Sequence, residues 1–86
     1  MDDDLRFTQS LGKWEAALAI FSAMLSRDPR LGTAKVKNHT RMGGTIQVNV
    51  YRPEGWDEES WQALEECARK LEKQYPGLVL LPEKAE

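Results

Sequence analysis

The sequence predicts an α+β fold in two layers, in which two helices cover one face of a three-stranded sheet in the chain order α-β-β-α-β. Three patterns predict it. Two segments repeat apolar residues with helical spacing, the region between them alternates with period two, and a short apolar run follows the second helix. A chain of 86 residues suits one domain. We expect residues 1–86 to form it, with frayed ends at 1–7 and 83–86.

The first helix is predicted by one apolar stripe whose members lie three or four positions apart: Leu11, Trp14, Leu18, Phe21 and Leu25. Either Thr8 or Ser10 can cap its start. Asp28-Pro29 ends it, because the residue before a proline is pushed out of the helical region.

The second helix carries signals at both ends. Asp57 is a typical N-cap, and Trp56 and Trp61 occupy the two positions of a hydrophobic staple around it. Pro76-Gly77 ends the helix. Cys67 lies near the apolar stripe of this helix, so we expect a small core residue there and not a nucleophile.

Residues 45–51 alternate between apolar and polar side chains. Before them, Ala34, Val36 and Asn38 alternate with the basic residues Lys35, Lys37 and His39, and Gly43-Gly44 marks a hairpin turn between the two segments. With a two-residue loop, the apolar side of one strand would face the polar side of the other. A three-residue loop that begins at Met42, with positive φ at Gly44, pairs Val36 with Val50 and keeps the apolar residues together. The hydrophobic pattern therefore predicts the three-residue loop.

This register predicts one polar sheet face that turns away from both helices. Its members are Lys35, Lys37, His39 and Arg41 from the first strand and Thr45, Gln47, Asn49 and Tyr51 from the second. The apolar run at 78–81 predicts a third, more fully buried strand that ends at Pro82. A right-handed crossover places it parallel to the second strand and leaves open a position beside the first.

The residue inventory favours a protein without catalytic activity, cofactor or metal site. Gly43-Gly44 is not followed by the Lys-Ser/Thr pair of a phosphate-binding loop, and His39, the only histidine, lies between cations with no carboxylate to orient it. A single cysteine excludes an internal disulfide and favours the cytoplasm. No apolar run is long enough to span a membrane, and the acidic start is unlike a signal peptide.

Charge is strongly segregated along the chain. Residues 27–52 carry a net +5, whereas 1–26 carry -2 and 53–86 carry -5. The basic segment predicts a binding surface for anionic groups, made of Lys35, Lys37, His39, Arg41, Tyr51 and Arg52. The alternative is an ordinary solvated face whose lysines protect an edge strand from aggregation.

The first helix has a second apolar strip beside its main stripe, formed by Ala17, Ile20 and Met24. A surface helix in a two-layer domain needs a narrower apolar stripe. The strip either packs on the second helix or, through Ile20 and Met24, meets a partner chain.

These observations favour a small protein-binding module, such as an adaptor, a subunit or an inhibitor of a larger complex. Its partner would be another protein or a second copy of the chain. The alternative is a nucleic-acid-binding protein that uses Lys35, Lys37, Arg41 and Tyr51. One aromatic and three cations are few for that function.

Overall fold

The computed structural model describes residues 2–85, and their side chains from Trp14 onward. The elements are α1 (Asp2–Arg27), a 3-10 turn (Pro29–Leu31), β1 (Lys35–Met42), β2 (Thr45–Tyr51), α2 (Glu58–Gln74) and β3 (Val79–Lys84). This is the predicted α-β-β-α-β order. Helix α1 begins before Thr8 and Ser10, so neither residue is its N-cap, and their side chains and that of Leu11 lie outside the described side chains.

The sheet has the order β1-β2-β3, with β1 antiparallel and β3 parallel to the central strand β2. The parallel crossover is therefore confirmed, whereas a place beside the first strand is not found. Strand β3 continues through Pro82 to Lys84, so the prediction that Pro82 ends it is wrong. The backbone N–H groups of Val79 and Ala85 donate to β2. The even-numbered residues between them therefore direct their backbone groups to the outer edge of the sheet. Pro82 is one of these residues, and its missing N–H costs no hydrogen bond between strands.

The hairpin has the predicted valine pair but a loop one residue shorter than predicted. Val36 pairs with Val50 as predicted, but Met42 pairs with Thr45, so the loop has two residues and not three. A β-bulge at Lys37 makes both pairings possible, because it adds one residue to β1 between them. Positive φ falls on Gly43 (61°) and not on Gly44, the pattern of a type II′ turn.

The core lies between the two layers. The helix side of the sheet contributes Ile46, Val48, Val50 and Leu80, each at most 1% exposed. The largest buried helical side chains that meet them are Phe21, Leu25, Leu64 and Leu71. All four sheet residues lie on one face, as expected if both helices cover that face.

The start of α2 is stabilised by the predicted Asp57 cap and Trp56–Trp61 contact, and also by Ser60, which the sequence analysis did not single out. Asp57 caps the helix by accepting a hydrogen bond from the backbone N–H of Ser60 at 2.7 Å. The Ser60 hydroxyl completes a capping box by accepting from the Asp57 N–H. The rings of Trp56 and Trp61 meet edge to face, with centroids 5.9 Å apart.

The outer edge of β3 is closed by side chains of α2. Glu72 accepts a hydrogen bond from the Leu80 N–H at 2.8 Å, and Arg69 donates to the Leu80 carbonyl at 3.2 Å. Arg69 and Glu72 are themselves ion-paired at 2.6 Å. With Pro82 next along this edge, little of the backbone is left to pair with another strand.

Candidate functional site

Within the described part of the chain, neither helix covers the sheet face opposite the core, which we call the open sheet face. Strand pairing places ten residues on it after the Lys37 bulge: Asn38, Thr40 and Met42 from β1, Thr45, Gln47, Asn49 and Tyr51 from β2, and Val79, Leu81 and Glu83 from β3. Lys35, which pairs with Tyr51, joins them beyond the bulge.

One end of the open sheet face is apolar. Met42, Val79 and Leu81 are 68%, 42% and 47% exposed. Met42 and Val79 flank Thr45 in one cross-strand row, and Leu81 lies beside Gln47 in the next. Within the described residues, four of the five exposed large hydrophobic side chains, Tyr51 among them, are on this face.

Sequence reasoning missed Val79 and Leu81 as surface residues. We expected this run to be more fully buried, but only Leu78 and Leu80 are buried, and the residues alternate along β3. Val, Leu and Leu at consecutive positions show no polar–apolar alternation, so no period-two signal could have revealed the exposed side.

The other end of the open sheet face is polar. Lys37 places its Nζ 5.8 Å from the centre of the Tyr51 ring, a cation–π contact. Asn49 donates a side-chain hydrogen bond to Asn38 across the strands. Glu83 lies beside Asn49, so the cations here share the face with an acid.

The predicted cluster of four basic side chains on one face is wrong for two of its members. His39 pairs with Val48 and Arg41 with Ile46, so both belong to the helix side of the sheet. Arg41 places its guanidinium 5.5 Å from the centre of the Trp14 ring of α1. The Lys37 bulge is the physical reason, since one extra residue moves every later side chain of β1 to the opposite face.

Arg52 occupies a structural position at the end of β2. Its guanidinium donates to the carbonyls of Leu31 at 3.2 Å, Arg30 at 3.5 Å and Gly55. The side chain is only 13% exposed and lies 3.9 Å from the carboxylate of Glu54. It thus ties the loop before α2 to the 3-10 turn, instead of extending the basic surface as we expected.

The second apolar strip of α1 packs mainly toward α2. Ala17 is fully buried, and Met24 is half-buried in contact with the core. Met24 and Cys67 line one groove between the two helices. Ile20 is 36% exposed. Helix packing accounts for Ala17 and Met24. Ile20 is open to solvent, and a partner contact there stays a prediction.

An ion cluster joins the 3-10 turn to α2. Arg30 donates to Asp28 and to Glu66, each at 2.8 Å. These hydrogen bonds hold the pKa of Asp28 and of Glu66 below their ordinary values. The Arg30–Glu66 contact joins the 3-10 turn to α2, and we assign the cluster a structural role.

Cys67 is buried at 5% exposure, as predicted for a core residue. Burial raises the pKa of its thiol above the ordinary value, which keeps the sulfur protonated at neutral pH. We expect Cys67 to react with a disulfide reagent at least about a hundredfold more slowly than a free thiol, because reaction requires local opening. Labelling kinetics measure this, with the protein in concentrated urea as the reference. Rapid labelling of the folded protein would contradict it.

Neither a metal site among the described residues nor a known relative adds an assignment for this chain. Among the described residues, no group of three or more His, Cys, Asp or Glu is placed to hold a metal ion, and no helix combines the length and apolarity needed to cross a membrane. The fold defines a small two-layer α+β domain with one open sheet face. No protein-family model, curated protein or solved structure matches the chain.

Proposed function

We propose that this protein is a non-catalytic protein-binding module whose partner docks on the open sheet face. The exposed patch of Met42, Val79 and Leu81 carries the proposal. Apolar side chains gathered on one face of a small domain are typical of protein contact sites. Met and Tyr are also enriched in such interfaces, and Tyr51 borders the same face.

The open sheet face favours a protein over a nucleic acid. Only Lys35 and Lys37 of the predicted cations lie on its side of β1, and Lys37 already stands over the Tyr51 ring that a base would need for stacking. Glu83 adds a negative charge to the face. Met42, Val79 and Leu81 offer little to phosphates but suit an apolar protein surface.

Charge segregation would orient such a partner. The basic segment at 27–52 contains β1 and β2, while α2, on the other side of the sheet, belongs to the acidic segment at 53–86. A partner with an acidic border around an apolar centre would be attracted to the sheet and repelled from α2. An adaptor, a subunit or an inhibitor of a larger complex would use this arrangement.

The test is affinity capture from the native host, with and without nuclease treatment, using two matched lysine variants. Leu81→Lys puts a charge into the apolar patch, and we expect recovery of the partner to fall at least about tenfold. Gln62→Lys makes the same addition on the exposed side of α2 and should leave recovery unchanged. Circular dichroism checks that both variants fold.

Three outcomes would contradict the proposal. They are equal recovery on Leu81→Lys and wild-type protein, loss of the captured material on nuclease treatment, and the absence of any protein retained above a blank column. The second outcome would favour the nucleic-acid alternative.

A further inference from the structure

The basic residues of β1 are divided between the two faces of the sheet. Lys35 pairs with Tyr51 and Lys37 contacts the Tyr51 ring, so both belong with the open sheet face, whereas His39 and Arg41 belong with the helix side. All four are exposed. A ligand on the open sheet face therefore reaches two of them, whereas a ligand that lies along the edge of β1 reaches all four. The edge is where the basic residues of this strand converge.

This edge also presents backbone hydrogen-bonding groups. The backbone carbonyls of Gly44 and Val50 accept hydrogen bonds from β3. The even-numbered residues of β2 therefore direct their backbone N–H and C=O groups toward β3, and the odd-numbered residues direct theirs toward β1. The β1 residues that pair with the even-numbered ones are Val36, His39 and Arg41, and these direct their N–H and C=O groups outward. Among the described residues, no strand pairs with this side of β1.

A groove runs between the start of this edge and α1. It has a volume of about 280 Å³ and is lined by Ser22, Leu25 and Ser26 of α1 together with Ala34, Lys35 and Val36. The two serines are small, so side chains of a strand added beside β1 would have room on the helix side.

We propose that the β1 edge binds an extended, acidic segment of the partner protein as a fourth strand of the sheet. The inference rests on the proposed function and specifies one part of the docking. Backbone ladder bonds to Val36, His39 and Arg41 would supply affinity, and the cations on both faces would select acidic side chains. From Pro29 to Pro53 the chain contains no Asp or Glu that would oppose them.

Two other occupants fit less well. A second copy pairing through the same edge would bring β1 against β1, with cations opposite cations. Pairing with β3 of a second copy is hindered by Arg69 and Glu72, which already bond the Leu80 backbone. A nucleic acid has no backbone ladder with which to extend a sheet.

The probe is an end-capped peptide, Thr-Glu-Glu-Val-Val-Glu-Glu-Thr, which places glutamates on both faces of an added strand. We expect binding with a dissociation constant below about 1 mM at low salt, weakening as salt screens the charges. Amide hydrogen exchange of His39 and Arg41 should slow when the peptide is added, since these N–H groups would enter the new ladder. A peptide with glutamine in place of glutamate should bind at least about tenfold more weakly.

Two variants at one position isolate the backbone. His39→Pro removes an outward N–H that β2 does not use, and a proline is tolerated there because β1 is an edge strand. His39→Thr removes the imidazole but keeps the N–H. We expect peptide affinity within about threefold of wild type for His39→Thr and at least about tenfold lower for His39→Pro. A peptide N-methylated at both valines repeats this test on unaltered protein and should not bind.

Equal affinity of the His39→Pro and His39→Thr proteins would overturn strand addition if both are folded. Undiminished binding of the N-methylated peptide would overturn it in any case, as would failure of the acidic peptide to bind. The proposed function has a separate outcome: a partner protein whose capture requires Leu81 but is unaffected by His39→Pro would support docking on the open sheet face without strand addition.

Discussion

Replacing Arg52 with alanine is expected to lower the free energy of unfolding by about 2–4 kcal/mol, because hydrogen bonds from a charged group are worth more than neutral ones. The guanidinium donates to the carbonyls of Leu31, Arg30 and Gly55, in a side chain that is only 13% exposed. Its removal leaves these carbonyls without that donor. Urea unfolding followed by circular dichroism measures the change.

Arg52→Lys is the matched control for charge. A lysine keeps the positive charge but lacks the planar fork of five donors, so we expect it to recover less than half of the loss. If Arg52 belonged to the binding surface that the sequence predicts, Arg52→Ala would instead weaken partner capture and leave unfolding unchanged. That result would refute the structural role.

The charge pattern of the sequence could not distinguish Arg52, which has a structural role, from the cations of a binding surface. Arg52 continues the basic segment and follows Tyr51 at the end of β2, so nothing in the sequence separates it from Lys35 or Lys37. Its role depends on the 3-10 turn at Pro29–Leu31, which brings distant carbonyls to it. Contacts between segments so far apart in the chain leave no local signal.

The architecture was predictable because its signals are local and periodic. The apolar spacing of both helices, the Asp57 cap and the pairing of Val36 with Val50 all follow from neighbouring residues. The bulge at Lys37 was not predictable in this way. It reconciles a two-residue loop with that valine pair, whereas we treated the two as alternatives.

The missed bulge is the reason why the predicted basic face is not found. Once a register slips by one residue, all later side chains exchange faces, and His39 and Arg41 moved from the predicted polar face to the helix side. The basic character of β1 was visible in the sequence, but its distribution over two faces was not. The open sheet face and the β1 edge became separate surfaces only in three dimensions.

Placing asparagine at Gly44 is expected to lower the free energy of unfolding by about 2–3 kcal/mol, the upper part of the range for overpacking. A Cβ at this position would lie 2.7 Å from the carbonyl oxygen of Gly77. That neighbour is backbone and cannot rotate aside. The Gly44 carbonyl also accepts a hydrogen bond from the Val79 N–H at 2.9 Å, so the hairpin loop and the start of β3 would have to separate.

Gly43→Asn is the matched control, since it adds the same side chain one residue earlier. Gly43 has φ of 61° but no atom within 4 Å of its Cβ position. Asparagine is among the residues that primed turns accept at positive φ, but its side chain is strained there even without a clash, so we expect a smaller loss of about 1 kcal/mol. Urea unfolding compares the two variants, and amide exchange of Val79 should accelerate only in Gly44→Asn. Equal losses at the two positions would mean that loop conformation, and not the approach of Gly44 to Gly77, requires the second glycine.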